Sequence, residues 1–332
     1  MTTRREFISA VTLGVLTASL SAEAQQAAKL YRIGFVSSGS GPDRRAFDAL
    51  RQGLRERQLI EGRNLVIEQR YAEGKGVERW RALLAELVAL KVDLIVTVTT
   101  GVALEAKNAT KSIPIIMAVA TDPVGAGVVD SLSRPGGNVS GMTLTGVELT
   151  PKRLELLKIV TPDLQRVVVV VAVDIPVTRM YLRQAETAAS ALAIPHVDFE
   201  VMGPSASGKW EEVFARLGRS PHTALLITEA PIFLSEGRRL AALALTHHLP
   251  AVYGLSSHVR DGGLMSYGAD LADLYYRAAR LVAKVLLERV KPGDLPIEQP
   301  TKFELVINLK TAKALGLTIP PSLLQRADEV IQ

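Results

Sequence analysis

Two short runs of aliphatic, largely β-branched residues, Leu94–Val98 and Ile115–Val119, sit within the stretch Asp93–Val128. Each is bounded by polar or turn-forming residues, the pattern of strands buried on both faces of a parallel sheet. The first run ends in Thr99-Thr100-Gly101 and the second in Thr121-Asp122-Pro123, and the spacing predicts a helix start after each. In open α/β sheets the ligand crevice lies beyond the carboxyl ends of the strands. Hydroxyls, a carboxylate and two helix N-termini are therefore expected to converge there, a setting suited to an anionic ligand group. The same Thr and Asp residues also serve as ordinary N-caps.

Similar units fill the chain on both sides. Leu30–Val36 and Leu65–Tyr71 read as strands, and Asp43–Gln58 and Val77–Leu90 as amphipathic helices. Arg134-Pro135-Gly136-Gly137-Asn138 is a strong turn before a short strand near Val139–Met142. A second β-α series starts near Thr150-Pro151. It includes the valine run Arg166–Val173, His196–Met202, Thr223–Thr228, Ala251–Tyr253 and Gly262–Gly268 as strands, and a long helix over Leu271–Val290. Phe303–Asn308 reads as the last strand, and Pro320-Pro321 leads into a polar tail. Alternating strands and helices predict parallel sheets with helices on both faces. With 332 residues the chain has room for two such lobes.

Composition narrows the function. The chain has no cysteine, which removes disulfides, thiolate metal sites, a cysteine nucleophile and a cysteine-linked lipid anchor. Net charge is +5 with no long block of like charges, so no nucleic-acid partner is expected. The N-terminus carries Arg4 and Arg5, an apolar run from about Phe7 to Leu20, then Ala22-Glu23-Ala24. That order is the pattern of a signal peptide over residues 1–24, of twin-arginine or general secretory type, and places the mature protein in the periplasm.

Several motifs fail on inspection. Gly203-Pro204-Ser205-Ala206-Ser207-Gly208-Lys209 approximates a phosphate-binding loop, but Trp210 stands where a hydroxyl should reach magnesium. Gly39 and Gly41 begin a dinucleotide fingerprint that Arg44 breaks. No GxSxG elbow is present. The histidines, His196, His222, His247, His248 and His258, lack metal-ligand spacing. Neither an enzyme nor a cofactor is expected.

The segments Asp93–Thr99, Ile113-Pro114-Ile115, Thr121-Asp122-Pro123-Val124, the turn through Gly141, Gly263–Gly268 and Val306–Gly316 (VINLKTAKALG) together resemble one family. They are similar to the ABC-transporter substrate-binding proteins that include tryptophan- and other aromatic-amino-acid-binding members, over nearly all of the mature chain. The resemblance implies a type I periplasmic-binding-protein fold, α/β, with two Rossmann-like doubly wound lobes and a ligand cleft between them. The first lobe is expected to hold residues 29–143 plus about 264–292, the second 144–263 plus about 293–332. Crossovers are expected near Gly141–Leu144, His258–Met265 and Lys291–Thr301. It implies a receptor for an amino acid or related small organic acid, working as a monomer with an ABC permease of the inner membrane. A sensory protein of the same fold and an exported α/β enzyme are the alternatives. The ligand-facing residues it implies are Thr99, Thr100, Gly101, Thr121 and Asp122 of the first lobe and Asp174, Thr228, Glu229, Ser256 and Ser257 of the second, with Tyr267 by the hinge. Thr100, Gly101 and Thr121 are the expected holders of an anionic group, and Glu229, with Asp122 as the alternative, of a cationic one.

Overall fold

The protein is described by a computed structural model, which covers residues 29–41, 43–172, 178–202 and 209–332. The expected signal peptide, the Asp174 loop and the glycine-rich stretch before Lys209 lie outside the described residues.

The first half runs β1 (Tyr31–Ser37), α1 (Arg44–Glu56), β2 (Leu65–Tyr71), α2 (Val77–Ala89), β3 (Leu94–Val98), α3 (Thr100–Ala109), β4 (Ile115–Val119) and β5 (Val139–Gly141). Then follow α4 (Thr150–Val160), β6 (Arg166–Ala172), α5 (Thr178–Ala191), β7 (His196–Met202), α6 (Trp210–Leu217), β8 (Thr223–Ile227), α7 (Pro231–Ser235), α8 (Gly237–Thr246), β9 (Ala251–Tyr253) and α9 (Ser257–Arg260). The chain ends with β10 (Met265–Ala269), α10 (Leu271–Leu287), β11 (Phe303–Asn308), α11 (Leu309–Ala314), α12 (Pro321–Leu324) and β12 (Glu329–Ile331).

The strands make two sheets, ordered β2-β1-β3-β4-β5 and β12-β11-β10-β9-β8-β6-β7. The first is parallel throughout. The second repeats the same order in β7-β6-β8-β9-β10, and β11 adds antiparallel to β10. Each sheet is covered on both faces. In the first lobe α1 and α10 bury Phe47, Leu50, Leu54, Leu274 and Val282 on one side. Trp80, Leu84 and Val102 from α2 and α3 fill the other. In β6 Val167 to Val171 are all buried, each worth about 1.5–3 kcal/mol of transfer free energy before entropy. Asp43 caps α1 by accepting from the Ala46 N–H at 2.9 Å, and Asp270 caps α10 through Ala272 N–H, also at 2.9 Å.

The lobes exchange chain three times. β10 belongs to the second sheet whereas α10 packs in the first core, so the second crossover falls at Asp270, later than residues 258–265. Leu295 and Ile297 are buried in the first lobe, and Glu298 bridges to Met142, so residues 293–298 stay with the first lobe before β11 returns to the second. Gly141 closes β5 at φ 148°, where a Cβ would meet the Met117 carbonyl at 2.3 Å. The turn before it is fixed by Asn138, whose amide donates to the carbonyls of Thr110 and Ile113.

One local expectation is corrected. No helix follows β4: Pro123 to Gly127 form turns, with Gly127 at φ 71° and Asp122 Oδ1 accepting from Gly125 N–H at 2.8 Å. The helix after Glu229 breaks at Glu236 into α7 and α8. The polar tail ends in β12, which pairs in parallel with β11.

Candidate functional site

A cavity of about 490 Å³ opens between the lobes, at the carboxyl ends of both sheets. On the first lobe it is lined by residues 37–41 after β1 and by Thr99, Thr100 and Gly101 after β3. β1 and β3 are the neighbours between which the strand order reverses, the switch point where doubly wound sheets bind ligands.

The start of α3 is specialised. Thr99 sits at φ 116° and ψ 152°, a conformation open essentially to glycine alone, and such strain concentrates at functional loops. Its N–H donates to Val119 O at 3.0 Å, while its Oγ1 and carbonyl accept from Val102 and Ala103. The first four N–H groups of a helix have no intrahelical partner. Those of Thr99 and Val102 are satisfied in this way, which leaves Thr100 and Gly101 to offer theirs to the cavity. Thr100 Oγ1 accepts from Thr121 N–H at 2.9 Å and so ties the two strand-end loops together. The ring of Trp80 lies against Gly101, and Trp80 is itself buried at 7% exposure. Ser38 Oγ, Ser257 Oγ and Trp80 Nε1, all in lining residues, have no hydrogen-bond partner among the described residues.

The opposite wall comes from the loops after β8 and β9. Glu229 lines the cavity yet is 5% exposed. Its Oε1 accepts from Arg153 Nη2 and its Oε2 from the Tyr181 hydroxyl at 2.6 Å. Arg153 is fully buried and also donates to the carbonyls of Tyr267 at 2.7 Å and Gly146 at 3.1 Å. Burial alone would push the Glu229 carboxyl up; the charge of Arg153 and the bonds from Arg153 and Tyr181 outweigh it and hold the group below its ordinary value. Leu144, Leu234, Leu255, Leu271 and Tyr275 complete an apolar surround. Asp43, Asp122, Glu229 and Asp261 line the cavity, and among the described residues no lysine, arginine or histidine does.

Of the residues expected at the site, Thr99, Thr100, Gly101, Thr121, Asp122, Glu229 and Ser257 meet at this cavity. Three others face elsewhere. Thr228 is wholly buried and donates to Val170 O at 3.0 Å. Ser256 donates to Glu304 and accepts from Arg260. The Tyr267 ring stacks on Phe303 with centroids 6.3 Å apart. Ser38, Asp43, Trp80, Asp261 and Tyr275 line the cavity without having been singled out. The serine-glycine turn at the end of the first strand was the one available signal.

The profile of the family described as ABC transporter substrate binding protein matches residues 38–331. The chain belongs to that family. This substrate-binding protein is 30% identical over 275 residues to the tyrosine-binding protein of Clostridioides difficile (strain R20291), covering 80% of the present chain and 75% of the relative. Its fold superposes with a TM-score of 0.81 on the ABC domain in complex with L-Trp from Streptococcus pneumonia, at 25% identity, over 91% of this chain and all 100% of the other. A conserved domain protein from Vibrio cholerae matches with a TM-score of 0.81 at 26% identity, again over 91% and 100%. A substrate-binding protein of this family is a solute receptor, not a member of an enzyme family. It works outside the cytoplasmic membrane and hands a small ligand to a transporter permease.

Proposed function

We propose that this receptor captures an aromatic α-amino acid in the interlobe cavity. The observation that carries the reading is the cavity's division of labour: unpaired N–H and O–H donors on the first lobe, carboxylates without a basic side chain, and two aromatic rings. A zwitterion fits this lining. Its carboxylate takes the Thr100 and Gly101 N–H groups and the Thr100 hydroxyl at the positive end of α3. Its ammonium pairs with Glu229, whose two engaged oxygens keep further lone pairs. A second carboxylate on the ligand would meet the acidic lining without a cation, so dicarboxylic amino acids are disfavoured. The volume lies within the usual range for small-molecule sites, roughly 300–1,000 Å³. Relatives named for tyrosine and solved with L-Trp support the aromatic class.

The reading includes export with cleavage after Ala24, action as a monomer, and lobes that close on the ligand about the three crossovers. Intact mass of the periplasmic protein beginning at Gln25 checks the first. Calorimetry with L-tyrosine, L-tryptophan, L-phenylalanine, L-leucine and L-glutamate tests the ligand class. Binding of the aromatic members and none of L-glutamate is expected; the reverse order overturns the reading.

A further inference from the structure

Three buried side chains, none of them following from the cleft's general shape, converge behind its second-lobe wall. Arg153 on α4 and Tyr181 on α5 are 0% exposed and do not line the cavity, yet each holds one oxygen of Glu229, which does. Backbone closes the cage on two sides. A Cβ on Gly146 would lie 2.6 Å from Glu229 Oε2 and 2.5 Å from the Tyr181 hydroxyl, and a Cβ on Gly254 would lie 2.4 Å from Glu229 Cδ. Arg153 reaches the Gly146 and Tyr267 carbonyls, in segments that flank the first two crossovers. A carboxylate this deep would be costly if unpaired. Arg153 compensates its charge, and Tyr181 fixes the second oxygen.

We propose that Arg153 and Tyr181 are positioning residues for ligand selection: without touching the ligand, they clamp Glu229 between Gly146 and Gly254 so that it stands ionised and oriented at the cleft wall to receive an ammonium group. This rests on the amino-acid reading given above. The receptor then distinguishes an amino acid from its des-amino analogue through a carboxylate that it need not reorient on binding, because the apo protein already holds it in place. The other titratable groups around this carboxylate include His258 on α9, buried and bonded to the Phe233 and Leu255 carbonyls, and Asp43, Asp122 and Asp261, which line the same cavity. All of these are common to every variant below.

The test uses calorimetry with L-tyrosine and with 3-(4-hydroxyphenyl)propionate, from about pH 8 to pH 5, on the wild type, Tyr181→Phe, Glu229→Gln and the double variant. The wild type should prefer L-tyrosine over the des-amino acid by about tenfold or more, with little pH dependence across that range, because ordinary carboxyls titrate near 4.3. Tyr181→Phe removes one bond to the ionised form, so Glu229 protonates more readily, and its L-tyrosine affinity should fall several-fold more steeply toward pH 5 than the wild type's. Glu229→Gln should abolish most of the preference, and the double variant should lose the added pH dependence. Gly146→Ala, which displaces the carboxylate without changing any charge, should weaken L-tyrosine more than the des-amino acid. If Tyr181→Phe keeps the wild-type preference and pH profile, Tyr181 only fills space and the positioning role is wrong while the amino-acid reading stands. If the wild type binds both compounds equally, or neither, the amino-acid reading and the positioning role fall together.

Discussion

Gly101 packs against the ring of Trp80: a Cβ there would sit 2.8 Å from Trp80 Cζ3 and 3.1 Å from Cη2. Only a glycine lets the indole cover the first turn of α3, so the cavity's aromatic wall and its free N–H groups share one small residue. Gly101→Ala must push the ring away. Overpacking of this kind costs about 1–3 kcal/mol of stability. Ligand affinity should fall as well, since the indole moves at the cavity surface. Chemical denaturation and calorimetry on the variant check both.

Thr99 stores strain at the same helix start, with φ 116° and a capping bond of 3.4 Å to Val102 N–H. Glycine would adopt this backbone freely. The long cap contributes little, so Thr99→Gly should raise folding stability by up to about 1 kcal/mol, against a strain cost on the order of 1–3 kcal/mol. A lower melting temperature would show that the backbone there is unstrained.

Glu304 on β11 ties the lobes. It faces Arg45 of α1 at 3.3 Å and Arg260 of α9 at 3.6 Å, and accepts from Ser256. Arg45 is half exposed, so its share is small, about 0.2–1 kcal/mol. Arg45→Ala should speed ligand dissociation a few-fold in dilute buffer, and the effect should fade in high salt. Stopped-flow release at two salt concentrations decides it.

His258 predicts an acid-sensitive step. Burial pushes its imidazole below the ordinary value, only partly offset by the Phe233 and Leu255 carbonyls. The folded protein therefore takes up this proton less readily than the unfolded chain. Above about pH 6.5 the group contributes nothing; as pH falls below that, the unfolded chain gains a proton first and stability declines until the folded-state pKa is reached. His258→Gln should flatten that part of the decline in melting temperature between about pH 7 and pH 5.5.

Strands were legible because valine and isoleucine runs bounded by turns have few alternative readings, as in Arg166–Ala172. The loop after β3 was legible because a glycine follows two threonines at a strand end. Which polar residues at the strand ends turn away from the cleft was not. Thr228 and Ser256 also stand at strand ends, but one bonds Val170 and the other Glu304, and the direction of a side chain beyond the last strand residue depends on partners far along the chain. Trp80 and Tyr275 fit the apolar faces of α2 and α10, so helical spacing alone marks them as core. Glu229 was legible as a site residue; its dependence on Arg153, 76 positions away, was not. The missing helix after β4 turns on Gly125 and Gly127, which favour the turns that Asp122 caps.

The chain has two tryptophans, Trp80 at the cavity and Trp210 in the second-lobe core, so fluorescence can report ligand between the lobes. Fluorescence excited near the red edge of tryptophan absorption should change on titration with L-tyrosine or L-phenylalanine, neither of which then emits. The saturable change should persist in Trp210→Phe and disappear in Trp80→Phe, while calorimetry still detects weakened binding in the latter. A change that survives Trp80→Phe unaltered, or calorimetric binding that leaves Trp80 silent, would contradict an aromatic amino acid held between the lobes against this ring.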